Sequence, residues 1–131
     1  MKKIIIASLT ASVMFLFTAP VYADSIEHQW NCKRLDSATT DDVKAATSVW
    51  LKAAKTNEGG ENIKAFLKFP IAVDTVDGDF TLVIVFADTK TWGEYTHDYA
   101  NSPAGAAEDA WYEVATCLGS SIWESVEFET L

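Results

Sequence analysis

The sequence predicts an α+β domain with the order strand, helix, strand, strand, helix, strand, and three observations point to it. Alternating apolar runs and two capped helical stretches fill nearly all of residues 24–131. The run 80–87 is apolar on both sides, so a strand there needs cover on both faces. The only two cysteines, Cys32 and Cys117, fall near the end of the first strand and the start of the last.

Ahead of the domain, Lys2 and Lys3 precede an apolar run over 4–17, and Val21-Tyr22-Ala23 supplies a processing site. Residues 1–23 are therefore expected to be a signal peptide cleaved after Ala23, leaving 24–131 as one domain exported to the periplasm or medium. The apolar run is too short for a membrane span and no other stretch approaches one. In an exported chain, two cysteines are expected to form a structural disulfide, and no Cys-x-x-Cys redox pattern occurs.

The first strand is expected over 26–35, with Ile26, His28, Trp30 and Cys32 on one side and Glu27, Gln29, Asn31 and Lys33 on the other. Thr39 with Asp42 three residues later forms a capping-box pattern. It opens a helix over about 40–57, with Val43, Ala46, Trp50 and Ala53 at helical spacing and Glu58-Gly59-Gly60 as the stop. The second strand is expected over 63–73, at a sheet edge because Pro70 has no N–H to donate. Asp77-Gly78 is a hairpin turn into the third strand, 80–87, so the two should pair antiparallel. There Phe80, Leu82, Ile84 and Phe86 point one way and Val83, Val85 and Ala87 the other.

Asp88-Thr89 caps the next helix, in which Trp92, Tyr95, Thr96 and Tyr99 form a stripe ending near Asn101. Ser102-Pro103 caps a second piece, with Ala107, Ala110, Trp111 and Val114 repeating the spacing, so this crossover is a helix broken in two. The last strand, 117–128, sets Ile122, Val126 and Phe128 against Ser121, Ser125 and Glu127.

Two helices cover one face of a four-stranded sheet. The other face of 80–87 then needs a partner, and a sheet-to-sheet homodimer is the simplest one. In a ferredoxin-like βαββαβ sheet of order 4-1-3-2, the first and last strands lie antiparallel and bring Cys32 beside Cys117. On this element order, the doubly apolar run and the aromatic helix faces at Trp50, Trp92 and Trp111, the chain resembles the dimeric α/β-barrel superfamily. That resemblance implies two ferredoxin-like sheets packed face to face. The superfamily includes cofactor-independent monooxygenases, haem-degrading enzymes, isomerases and stress-responsive proteins.

Acidic residues number 19 against 10 basic ones, and loss of Lys2 and Lys3 makes the exported domain more acidic still. Nucleic acid is therefore not expected as a partner, nor is an anionic membrane surface. The two histidines, His28 and His97, are far apart in sequence and, with the cysteines paired, supply no zinc site; no metal or other cofactor is expected. Asp74, Asp77 and Asp79 alternate in the hairpin, but a strand follows where a calcium loop needs a helix. The candidate ligand-binding residues are His28, Trp30, Trp92, Tyr95, His97, Tyr99 and Trp111, around a pocket for an apolar or aromatic small molecule between sheet and broken helix. The expected role is non-catalytic binding, with two alternatives. One is a cofactor-independent oxygenase or isomerase using His28 or His97 as base, and the other is haem binding through one histidine.

Overall fold

The computed structural model describes residues 25–71 and 78–126. Among them the chain runs β1 (Ser25–Arg34), α1 (Thr40–Ala54), β2 (Lys64–Lys68), β3 (Asp79–Phe86), α2 (Thr89–His97), a 3-10 turn (Tyr99–Asn101), α3 (Pro103–Tyr112) and β4 (Ala115–Ser125). The strands form one antiparallel sheet of order β2-β3-β1-β4, the expected 4-1-3-2 read from the other edge.

β1 lies at the centre, and its two-residue alternation divides the sheet. Ile26, His28, Trp30 and Cys32 stand opposite Phe86, Ile84, Leu82 and Phe80 of β3. Except for His28, these side chains, with Val43, Trp50, Tyr95, Ala104 and Trp111 from the helices, make the core, Trp30 packing against it partly buried. Phe86, Ile63, Ile84 and Val43 are among its fully buried members, and each contributes about 1.5–3 kcal/mol by leaving water. On the opposite face Val83 is buried and Val85 partly so, but Phe66 and Trp123 remain 49 % and 57 % exposed.

The capping box closes as its residue types require. The Thr39 hydroxyl accepts from the Asp42 N–H at 3.2 Å, and the Asp42 carboxylate accepts from the Thr39 N–H at 2.7 Å. α1 ends at Ala54 rather than near 57, because the amides of Thr56 and Asn57 turn to i−3 carbonyls and tighten the chain out of α geometry. Its buried face is also rotated from the expected stripe: Thr47 and Ala54 are buried, whereas Ala46 and Ala53 are only partly covered. Thr47 is accommodated because its hydroxyl donates to the Val43 carbonyl at 2.7 Å and accepts the Trp111 indole N–H at 3.0 Å.

β2 occupies the edge, as expected, but runs only from Lys64 to Lys68, so Pro70 follows the strand and does not itself set its place in the sheet; residues 72 and 73 lie outside the described residues. A proline cannot donate to the ladder, and the residue before it is confined to extended geometry. Of the hairpin signal, Gly78 has φ +91°, a left-handed value that favours glycine. Asp77, like Asp74, lies outside the described residues. β1 and β3 begin and end one residue earlier than expected, leaving Leu35 and the exposed Ala87 outside the strands.

The broken crossover forms where its caps stand. The Asp88 carboxylate accepts the Thr91 N–H at 2.7 Å to start α2, and the Ser102 hydroxyl accepts the Gly105 N–H at 3.2 Å to start α3. Ser102 also donates to the Tyr99 carbonyl and accepts from the Asn57 side chain, tying the break to the loop after α1. That loop presses on α2: Gly59 has φ +73°, and a Cβ there would sit 2.5 Å from the Thr91 carbonyl. In α3, Ala104 and Trp111 are buried and Ala107 is partly covered, but Ala110 is exposed. At about 100° per residue Ala110 is turned a quarter of the circumference from Trp111.

β4 begins at Ala115, two residues early, and ends at Ser125; residues 127 and 128 lie outside the described residues. The expected contrast of Ile122 and Val126 with the serines does not produce a buried side. Ile122 is 50 % and Val126 47 % exposed, because β4 is the far edge strand and overhangs the helices. Cys32 and Cys117 are register partners and are joined by a disulfide.

The link closes a loop of 85 residues, for which chain entropy alone gives about 4–5 kcal/mol. Cys32→Ser/Cys117→Ser should therefore lower the urea midpoint by a stability loss of several kcal/mol, and raise the m-value because the unfolded chain is no longer cross-linked. A change below about 1 kcal/mol would show that the link adds little to the fold.

Candidate functional site

A cavity of about 430 Å³ lies between the sheet and the broken crossover. Its floor comes from alternate residues of β1 and β3, namely His28, Trp30, Leu82, Ile84 and Phe86, with Cys117 of β4 beside them. Its walls are Trp50 of α1, Tyr95 and Thr96 of α2, Tyr99 of the 3-10 turn, and Glu108, Trp111 and Tyr112 of α3. The break between α2 and α3 creates the space, since a continuous helix would run its side chains straight along the sheet.

Aromatic rings set the shape. His28 stacks on Trp30 with ring centres 3.6 Å apart, two residues along the same strand face. Phe86, Tyr95 and Tyr99 form a chain of ring contacts at 5.3 and 5.6 Å. A second chain, Phe80 to Trp111 to Tyr112, has 6.1 Å at each step. Such tilted and edge contacts stabilise beyond area burial and hold the rings in fixed orientations. The Trp50 indole N–H donates to the Tyr99 hydroxyl at 2.8 Å, joining α1 to the 3-10 turn, and the Tyr112 hydroxyl donates to Glu108 Oε1 at 2.9 Å.

The polar groups are few and their protonation is constrained. Burial pushes the His28 imidazolium below its ordinary 6.5, so the ring is neutral near pH 7. Burial, with the nearby Tyr99 and Glu108 adding to it, pushes Tyr95 far above the usual phenol range. Burial does the same to Tyr99 despite the opposing Trp50 hydrogen bond. Both hydroxyls therefore stay protonated and act as hydrogen-bonding groups, not bases. The Tyr95 hydroxyl and the Trp92 indole nitrogen are buried without a hydrogen-bond partner among the described residues, each at a cost of about 1–3 kcal/mol.

The structure brings His28, Trp30, Tyr95, Tyr99 and Trp111 to one cavity. It leaves out two residues proposed from the sequence. Trp92 packs edge-on against His28 at 6.5 Å without lining the space, and His97 is exposed in the last turn of α2. At about 100° per residue His97 lies about 200° around α2 from the buried Tyr95 and faces solvent, whereas Trp92 sits one turn earlier on the Tyr95 side, beside His28. Sequence reasoning missed Trp50, Glu108 and Tyr112 as lining residues. Trp50 was legible only as helix core, and Glu108 and Tyr112 are an i, i+4 pair on α3 whose direction depends on where the break aims that helix.

Element order, sheet order and register define a ferredoxin-like α+β fold. Among solved structures, the chain is similar to SnoaB, a cofactor-independent oxygenase from Streptomyces nogalater, at 12 % identity and TM-score 0.52, over 83 % of this chain and 98 % of that one. It is equally similar to a conserved protein of unknown function from Bacteroides thetaiotaomicron, at 10 % identity and TM-score 0.52, over 79 % and 99 % of the two chains. A dimeric protein of ferredoxin-like fold from Bacteroides fragilis matches at 13 % identity and TM-score 0.47, over 77 % and 96 %. At these identities the likeness is one of fold. No protein-family model matches the chain, and no curated protein sequence does.

Because the folded protein holds His28 neutral and the unfolded chain does not, the unfolded state binds more protons below pH 6.5. Stability from this group is present above that pH and falls as the pH drops toward the folded midpoint. The His28 ring proton shifts should titrate in NMR with a midpoint below 6.5. His28→Gln should flatten the dependence of Tm on pH in that window, and a midpoint at or above 6.5 would refute the buried placement.

Proposed function

We propose that this protein is exported and binds a planar, mainly apolar small molecule, non-catalytically, in the cavity between its sheet and the broken crossover. The observation that carries this reading is the cavity itself: about 430 Å³, within the range of about 300–1,000 Å³ that accommodates small ligands, and walled by Trp30, Trp50, Tyr95, Tyr99 and Trp111. Flat rigid rings in fixed orientation favour a flat ligand. Export is proposed on the leader at 1–23, which lies outside the described residues, and the Cys32–Cys117 disulfide is compatible with an extracellular location. No helix among the described residues is long and apolar enough to cross a membrane.

The neutral fluorophore N-phenyl-1-naphthylamine tests the pocket. It should bind saturably with one site per chain, and Trp30→Leu, which alters the floor at a half-buried position, should weaken it about tenfold. Absence of saturable binding, or equal affinity in the variant, would reject the reading.

A second reading is favoured by one observation, the neutral His28 facing the cavity. Such an imidazole can take a proton from a fused-ring phenol, and SnoaB, to which the fold is similar, is a cofactor-independent oxygenase. Oxygen uptake on adding an oxidisable fused-ring phenol, lost in His28→Gln, would favour this reading over simple binding. His97 does not line the cavity, so the base in this reading is His28.

The protein is further proposed to pair through the open face of its sheet. Trp123, Val85, Phe66 and Val83 share that face in adjacent rows, interspersed with Glu27, Gln29 and Lys64. Light scattering should give a dimer at micromolar concentration, and Phe66→Glu with Trp123→Glu should give a folded monomer. A monodisperse wild-type monomer would rule the pairing out.

A further inference from the structure

Among the described residues, Glu108 is the one carboxylate that lines the cavity, and no lysine or arginine of them lines it. One of its oxygens accepts the Tyr112 hydroxyl proton at 2.9 Å. Tyr99, whose oxygen already accepts the Trp50 indole N–H at 2.8 Å, also bears on the same carboxylate. Among the described residues no basic side chain forms an ion pair with Glu108. The carboxylate is thus held by neutral hydroxyl groups, and its negative charge is left for whatever enters.

The same cavity is lined by Trp30, Trp50, Tyr99, Trp111 and Tyr112. The faces of such rings carry partial negative charge and attract a cation within about 6 Å. An anionic ligand would meet these rings and Glu108 with no compensating positive group, since His28 is held neutral. The chain as a whole carries a formal charge of −9, which raises the local concentration of cations and repels anions.

We propose that the cavity's ligand is an aromatic organic cation, a ring-bearing amine or quaternary ammonium, with Glu108 as its counter-charge and the surrounding tryptophans and tyrosines receiving its charged end. This rests on the reading of the cavity as a small-molecule site and adds the charge of what it holds. The tyrosine hydroxyls support Glu108 as its positioning groups, and the His28–Trp30 stack receives the flat part of the ligand.

The test compares three naphthalenes of nearly one shape on the full mature chain: 1-naphthyltrimethylammonium, its neutral carbon isostere 1-tert-butylnaphthalene, and 1-naphthoate. Binding is read by quenching of tryptophan fluorescence and by calorimetry. The cation should bind about tenfold more tightly than the neutral isostere, and the anion more weakly than both. Glu108→Gln should remove most of the cation's advantage over the neutral isostere, with circular dichroism reporting that the variant is folded. If that variant fails to fold, the wild-type comparison decides alone. A neutral isostere that binds as tightly as the cation, or a preference for the anion, would overturn the inference and leave the pocket reading standing. Saturable binding by none of the three would remove both.

Discussion

The register of β1 against its neighbours is the constraint on which everything else depends. Side chains on a strand alternate, so sliding β1 by one residue would turn His28 and Trp30 away from the helices and bring Gln29 and Asn31 beneath them. Two things oppose such a slip. Pairing with β3 sets four apolar residues of that strand against Ile26, His28, Trp30 and Cys32, and the disulfide pins Cys32 to Cys117 on the other side. The register shift of β1 against β4 falls between Asn31 and Cys32, next to the link. The irregularity and the covalent bond that tolerates it are therefore adjacent.

From that register the cavity follows by subtraction. The core face of β1 and β3 supplies a floor, α1 supplies Trp50, and the crossover is broken where Ser102 ends the 3-10 turn and begins α3. Large rings span what small side chains would leave empty. Their polar ends are partly satisfied, as in Trp50 to Tyr99 and Trp111 to Thr47, and partly not, as in Tyr95 and Trp92. A core built only for stability would have a hydrogen-bonding partner at each of those atoms, or phenylalanine in their place.

Much of this fold was legible from local chemistry. The capping box at Thr39 and Asp42 and the Ser102-Pro103 restart each depend on a few neighbouring residues, so they survive transfer from sequence to structure. The expected sheet order and the two cysteines supported each other, since the order sets the first strand beside the last and brings Cys32 to Cys117. What was not legible depends on angles between elements. Thr47 faces the core only because Trp111 of a distant helix reaches its hydroxyl, and Ile122 stays half in water only because the helices stop short of the last strand. Glu108 and Tyr112 look like a solvated pair on any helical projection. They become part of the site only through the direction α3 takes after the break.

That break gives the domain a separable part. Residues 98–102 join two short helices, and both ends are fixed to the remainder through small contacts, Ser102 to Asn57 and the Gly59 loop to the α2 backbone. Inserting or deleting a residue in that joint would tilt the C-terminal helix, with its tyrosine and glutamate, over an unaltered β-sheet. A lineage could in this way resize the binding chamber and exchange what it accepts while the strand pairing, the staple and the remaining hydrophobic interior stay as they were.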